Sequence, residues 1–292
     1  MLDFIINPIA GGKGGKKILD FIPKLKEFLK RKSLKFALHF TKKKGEAKEL
    51  TDTLIKDGAT DIVCIGGDGT LHEVINGFHD FDKVNLGIIP LGTGNDFANA
   101  LKIPTDPVDA LKLITEETPK YTDFMQMPTV RGLNVIGAGL DVEVLKKYER
   151  LKKKTKFGYT KCLLKTLFTY KCVNFKAKIG EKITEYHSFI SAIANGHCFG
   201  GGLVISPEAT PIDGKLNFVA VDKVNKFVLI KLLIKLMKKK INTAKQYVQE
   251  KVDKITIIPA TPHYTVNVDG ELYDDIPFEV EIVSNKLKVY RV

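Results

Sequence analysis

The chain has 292 residues, 44% of them hydrophobic and 27% charged, enough for one large core or two smaller ones. Its 46 Lys+Arg against 34 Asp+Glu give a formal charge of +12, which points to an anionic partner (nucleic acid, a membrane surface or a phosphate-bearing substrate) or simply to a soluble, lysine-decorated surface. The scattered Cys64, Cys162, Cys172 and Cys198 form no CxxC pair, so neither a zinc site nor a disulfide framework is signalled, and no apolar run reaches the roughly 20 residues that span a bilayer.

The first 120 residues alternate strand and helix patterns. Leu2–Ile6 reads as a strand and lacks the layout of a signal peptide. Lys16–Arg31 carries apolar residues at helical spacing, Phe36–Phe40 is a strand, and Glu46–Lys56 is a helix stopped by Gly58. Asp61–Ile65 and Asn85–Ile89 are strands that each run into a glycine-rich turn, Gly66-Gly67-Asp68-Gly69-Thr70 and Gly92-Thr93-Gly94-Asn95-Asp96. Leu71, Val74, Ile75 and Phe78 follow at helical spacing, with Thr70 and Glu73 spaced as a capping box. Val108–Glu116 is a further helix. This alternation predicts an open parallel sheet with helices on both faces. After about Tyr121 short alternating segments dominate, including Phe175–Ile179, Tyr186–Ala194, Lys215–Val221, Lys254–Ile258, Tyr264–Val268 and Phe278–Val283. They predict an antiparallel, β-sandwich-like second domain, interrupted by helical patterns at Asp141–Leu151, Tyr159–Tyr170 and Lys226–Lys240. The expected fold class is therefore α/β plus mostly-β, divided at 1–123 and 124–283.

Chemistry concentrates in the two turns. Glycines at a strand-to-helix turn let backbone N–H groups approach a phosphate, and the helix N-terminus favours negative charge. Gly67 and Gly69 place no Cβ in the way of a phosphate, and a magnesium ion would bridge Asp68 to it. The alternative is a tight turn with Asp68 as a cap. Two such turns on successive parallel strands share one sheet edge, where open α/β folds bind ligands. No GxxxxGK[ST] and no GxGxxG occurs, so P-loop, Rossmann and protein-kinase glycine loops are excluded. The Gly11–Gly15 loop, with Lys13 inside it and Lys16 and Lys17 after it, either closes over phosphates or is a solvated turn.

Asn7-Pro8 with the following glycines, GGDGTLHEVINGF at 66–78 and PLGTGNDFANAL at 90–101 together resemble the diacylglycerol kinase catalytic-domain family, in its soluble bacterial lipid kinase form. The resemblance continues through Gly137-Ala138-Gly139-Leu140-Asp141, the segment Asn195–Gly202, Asp213-Gly214-Lys215 and Asp269-Gly270-Glu271. It implies ATP and Mg2+ as cofactors. Gly66, Gly67, Asp68, Gly69, Thr70, Leu71 and His72 would line the ATP phosphates, Thr41 and Thr93 would touch nucleotide, and Asn7, Lys13, Gly94 and Asn95 complete that set. Glu271 would be the general base, with Asp68, Asp96 and Asp123 as the acidic network around catalytic magnesium. A structural magnesium is implied at Asp213 with backbone groups of Thr210 and Lys215, although this chain has Ile212-Asp213 where the family often carries two acidic residues. The final residues, 284–292, would return to the first domain.

The basic apolar stretch Phe227–Lys238, with Lys231, Lys235 and Lys238 on one face, reads either as an interfacial membrane helix or as a packing helix. Leu163, Leu164, Leu167 and Phe168, with Lys161 and Lys165, form a second such stretch, and Lys152-Lys153-Lys154 adds a charge run. The sequence thus predicts a cytoplasmic kinase held peripherally at the inner face of an anionic membrane, with diacylglycerol as the favoured acceptor. A sphingoid, other lipid or NAD-like acceptor and a non-catalytic membrane-binding module stand as alternatives. A nucleic-acid partner is not expected, and a homodimer is compatible with the sequence.

Overall fold

A computed structural model describes residues 1–11, 15–151, 155–167 and 169–292, with backbone alone at Lys156 and Lys226. Lys13, the lysines at 152–154 and Phe168 lie outside the described residues. The chain forms two compact units, Met1–Asp123 with Ser284–Val292, and Phe124–Val283.

The first unit runs β1 (Leu2–Ile6), α1 (Lys16–Arg31), β2 (Phe36–Phe40), α2 (Glu46–Lys56), β3 (Asp61–Gly66), α3 (Asp68–Gly77), β4 (Asn85–Pro90), α4 (Asp96–Ala100), α5 (Pro107–Glu116) and into β5 (Lys120–Gln126). β1 pairs parallel with β2 and β3, and β3 with β4. Lys288 and Val289 then pair parallel with Asn85 and Leu86, so the last residues of the chain extend this sheet beyond β4. Phe4, Ile5, Ile6, Ile62, Val63 and Ile65 are fully buried, because helices cover both faces of a parallel sheet. Ile18, Phe21, Leu25 and Leu29 form the buried stripe of α1. Gly58 stops α2 as expected, with φ +91° and the Ala59 N–H returning to the Leu54 carbonyl.

One local expectation fails. Thr70 and Glu73 do not form a capping box, since α3 begins at Gly67 without a side-chain cap. Glu73 instead reaches the next helix, where its carboxylate accepts the N–H groups of Gly45 (2.8 Å) and Ala47 (3.1 Å) at the start of α2. Negative charge suits that helix N-terminus equally well.

The second unit contains β6 (Arg131–Gly132), β7 (Val135–Gly139), α6 (Leu140–Glu149), α7 (Lys156–Leu167), β8 (Val173–Ile179), β9 (Lys182–Ala194), β10 (Cys198–Phe199), β11 (Leu203–Val204), β12 (Leu216–Asp222), α8 (Lys226–Met237), β13 (Tyr247–Val252), β14 (Lys254–Pro259), β15 (Thr265–Val268), β16 (Glu271–Asp274) and the first half of β17 (Glu279–Val289). Its pairings are antiparallel. The 13-residue β9 organises them: residues 182–188 pair with β8, and 190–194 lie between β7 and β12. Met125, Ile136, Phe175, Ile193, Phe218, Ile255, Val268 and Val280 share its main core. A second cluster joins α6, α7 and α8 through Val144, Cys162, Leu163 and Leu229.

Candidate functional site

The register of the first unit gathers the predicted nucleotide residues. Ile6 is level with Phe40 and Ile65, and Gly66 with Pro90. Because these strands are parallel, Asn7, Thr41, Gly67 and Gly92 all follow strand ends on one sheet edge, the edge at which open α/β sheets bind ligands. Asn7 donates its side-chain amide to the Thr70 hydroxyl (3.1 Å) and accepts the Ile9 N–H (3.2 Å), which ties the first loop to the first glycine turn. The Thr41 N–H bonds the Ile6 carbonyl (2.9 Å).

The two glycine turns are one structure. Asp68 accepts the N–H of Asn95 (2.7 Å) and of Asp96 (2.8 Å), one on each carboxylate oxygen. It thereby caps α4 from the other turn. Asn95 sits in the left-handed region at φ +57°, and its side chain accepts the Gly92 N–H (2.9 Å) while donating to the Gly92 carbonyl (3.1 Å). Gly67 and Gly92 face each other. A Cβ on Gly92 would stand 2.3 Å from the Gly67 Cα, and one on Gly67 would stand 2.9 Å from the Gly92 Cα. This corrects the expectation that Gly67 is glycine to admit a phosphate: the space its missing Cβ leaves is filled by the second turn. What remains for an anion is backbone. The Leu71 N–H, one turn into α3, bonds the Gly67 carbonyl (3.0 Å), and the N-terminus of this helix is the backbone feature here that favours an anion. Leu71 and His72 are buried, so their side chains belong to the core rather than to the surface of the turn. Thr93 is exposed at the tip of the second turn.

The acidic residues do not collect into a metal cluster. Among the described residues no group of three or more His, Cys, Asp or Glu side chains is placed to hold an ion. Asp96 and Asp123 are both buried. Burial lowers the Arg291 guanidinium below its usual range, and the charge of Asp123 opposes that shift. Asp68, which accepts two backbone N–H groups, would be the residue to hold a Mg2+ that offsets charge on the phosphates. The implied structural magnesium does not fit. The Asp213 carboxylate accepts the Lys215 N–H (3.1 Å) on one oxygen, and the Lys251 ammonium lies 2.9 Å from the other. A lysine already supplies positive charge there, and the carboxylate that would accompany Asp213 is Ile212 in this chain.

The second unit presents Glu271 with care. Val268 pairs with Glu271 across the two-residue loop Asp269-Gly270, and both loop residues have positive φ, +53° and +95°. That is a type I′ hairpin, for which Asp-Gly is a favoured sequence. Asp269 locks it by accepting three backbone N–H groups, from Leu133 (2.6 Å), Asn134 (2.8 Å) and Val135 (3.0 Å). Asn267 accepts the Gly270 N–H (2.8 Å) and donates to Asp141 (3.0 Å). Glu271, at the first position of β16, is half-buried.

Asp141, in the G-x-G-x-D turn, is a buried acid that the sequence did not mark as functional. It opens α6, is buried, and its second carboxylate oxygen has no hydrogen-bond partner among the described residues. Burial pushes its carboxyl up to about 6, against the Asn267 hydrogen bond. Gly137 is required beside it, because a Cβ there would stand 2.5 Å from the carboxylate. Asp141 lines an apolar cavity of about 70 Å3 walled by Leu140, Tyr159, Leu163, Leu167 and α8 residues such as Leu232. Next to it is a cleft of about 760 Å3 with mixed walls, polar at Lys146, Thr166, Tyr170 and Ser191 and apolar at Val142, Phe175 and Ile257. Successive residues divide between the two: Gly139 and Leu140, Thr166 and Leu167, Ser191 and Ile190 line the larger and the smaller space respectively.

Comparison with known proteins agrees along the whole chain. Residues 2–127 match the diacylglycerol kinase catalytic domain, and 134–291 match the YegS C-terminal NAD kinase beta sandwich-like domain. A protein of Xanthomonas euvesicatoria, named a probable YegS-like lipid kinase, is 28% identical over 90% of this chain and 88% of its own length. A Staphylococcus epidermidis protein named as a lipid kinase is 27% identical over 77% of this chain and 74% of its own. In fold, a Bacillus anthracis structure described as a candidate diacylglycerol kinase superposes with a TM-score of 0.80 at 24% identity, covering 100% of this chain and 96% of that one. An Archaeoglobus fulgidus NAD kinase solved with ATP gives a TM-score of 0.53 at 14% identity, covering 99% and 92%.

Proposed function

This chain belongs to the diacylglycerol kinase catalytic-domain family, in its YegS-like lipid kinase form, and from that we propose that it transfers the ATP γ-phosphate to a lipid hydroxyl, with diacylglycerol the favoured acceptor. The donor side rests on the joined glycine turns. They offer the N-terminus of α3 on the sheet edge, beside a second turn tied to it by Asp68 and by the Gly67–Gly92 contact. Phosphoryl transfer depends mainly on positioning and on neutralising oxygen charge, and such a turn supplies both. Asp68 is the residue that would hold the hydrated Mg2+ of Mg-ATP, whose contribution is to offset charge on the phosphate oxygens.

The single observation that favours a lipid over a water-soluble acceptor is the small apolar cavity that adjoins the larger, mixed cleft in the second unit. An acceptor whose hydroxyl-bearing end adjoins an apolar segment matches that arrangement. Asp141, in the wall of the apolar cavity with its carboxyl pushed up to about 6 by burial, is the group there that can accept a hydrogen bond from the acceptor. Glu271, on its locked hairpin, takes the proton from the attacking hydroxyl. The test is to incubate purified protein with labelled Mg-ATP and, separately, detergent-dispersed diacylglycerol, a sphingoid base and NAD. Label in phosphatidic acid is the expected result. Label in the sphingoid product alone would move the acceptor within the lipids, and label in NADP alone would overturn the lipid reading.

A further inference from the structure

Helix α8 has an apolar face that its own fold does not use. Leu229 and Leu232 are buried in the two clusters beneath the helix, and Leu233 and Leu236 pack against them. That inner face already anchors the helix. On the opposite side Phe227, Ile230, Ile234 and Met237 are 81%, 43%, 49% and 54% exposed. Their spacing of three, four and three residues puts them on one line along the helix. Lys231, Lys235 and Lys238 repeat at four and three and form a parallel row beside it. The helix thus packs through one face and carries an exposed apolar line beside lysines on the other.

The charge around the row is one-sided. From Lys223 to Gln249 the chain has eight lysines and no Asp or Glu. Lys235 donates to the Thr243 carbonyl (2.7 Å), but Lys231, Lys238, Lys239 and Lys240 form no ion pair among the described residues. No helix of the described residues is long and apolar enough to cross a membrane. A 12-residue helix with an exposed apolar line and an adjoining lysine row is shaped to lie in the plane of an interface, with large side chains among acyl chains and ammonium groups at phosphate level.

We infer that the outer face of α8 docks on an anionic phospholipid bilayer, with Phe227, Ile230, Ile234 and Met237 inserted and Lys231, Lys238, Lys239 and Lys240 against the headgroup phosphates. Charge decides this occupant over a second copy of the chain, since a two-fold contact through the same face would set one lysine row against another. The inference does not rest on the kinase reading, because docking needs neither ATP nor an acceptor.

The experiment is co-sedimentation of the full chain with phosphatidylcholine vesicles, with and without phosphatidylglycerol. Two variants accompany it, F227S/I230S/I234S/M237Q and K231Q/K238Q/K239Q/K240Q. All eight side chains are exposed, and thermal melting establishes that both variants fold. The expected result is wild-type binding to the anionic vesicles only, weakened by salt, and by about tenfold or more in each variant. Wild-type binding to neither vesicle, or unchanged binding in the apolar variant, would overturn the inference. So would sedimentation velocity showing a two-chain species that the apolar variant reduces to one.

Discussion

Asp68 in the first unit and Asp269 in the second do the same physical work for different ends. Each is an aspartate in a glycine-containing turn, and each spends its carboxylate on backbone N–H groups far away in sequence, two for Asp68 and three for Asp269. Asp68 binds the second glycine turn, so the element it orders is the one proposed to face phosphate. Asp269 binds the segment entering β7, and what it orders is the neighbouring Glu271. A carboxylate in the family motif is thus not necessarily a metal ligand or a base. Which backbone segment its oxygens bind decides what it orders, and spacing alone does not reveal that.

The largest effect is expected at the more heavily bonded clamp. Asp269→Ala leaves three N–H groups without their acceptor, and charge-assisted bonds of about 1.5–3 kcal/mol each give a loss of about 4 kcal/mol or more in denaturant unfolding of the second unit. A loss below about 1 kcal/mol would mean that water replaces the carboxylate and that the hairpin is not held this way. Asp68→Asn is smaller in stability, about 2 kcal/mol, since an amide oxygen can keep one of the two bonds. It should nonetheless abolish Mg-ATP binding in calorimetric titration; retained affinity would separate the two turns from the nucleotide.

Asp141 sharpens the contrast through pH. Its carboxyl is raised to about 6 by burial, so the native state holds this proton more tightly than the unfolded chain does. The group therefore costs stability above pH 6, and the cost is recovered as pH falls from 6 toward the ordinary carboxylate value. A shift of about two units corresponds to about 3 kcal/mol at most. Asp141→Asn, whose amide oxygen can still accept from Asn267, should be more stable than wild type at pH 7.5, with the two melting curves converging near pH 4. Equal stability at both pH values would show that the carboxylate is solvated. If Asp141 also contacts the acceptor, the variant raises KM for the lipid and leaves KM for ATP unchanged.

The smallest effect is expected at Asp213. Lys251→Met removes an exposed ion pair and should cost less than about 1 kcal/mol. Melting of the wild type should be the same in EDTA as in Mg2+. A fall in Tm in EDTA that Asp213→Ala abolishes would establish a metal where the structure has a lysine.

The sequence made the first unit legible almost residue by residue, because Leu2–Ile6, Lys16–Arg31 and Glu46–Lys56 carry both the right period and the right stops. It was less readable in the second. β7 is Val135-Ile136-Gly137-Ala138-Gly139, whose two glycines hide a central strand, and Gly137 is there to make room for the Asp141 carboxylate. β13, Tyr247–Val252, pairs on one side only and carries Gln249, Glu250 and Lys251, so its apolar alternation is weak. β16 has four residues, Glu271–Asp274, and no predicted strand includes them. In the site, the glycine motifs announced where the loops are, but not that Gly67 serves Gly92, that Glu73 caps α2, or that Asp141 borders an apolar cavity. Those are contacts between distant segments, and no local spacing encodes them.

The claim that most needs a direct test is the division of labour, donor on the first unit and base on the hairpin of the second. The measurement is the rate of label transfer from ATP to dispersed diacylglycerol by Glu271→Gln. The account predicts a fall of about 10³-fold, with melting temperature and Mg-ATP affinity unchanged. Transfer at the wild-type rate would remove Glu271 from the chemistry and leave its locked hairpin as structure alone.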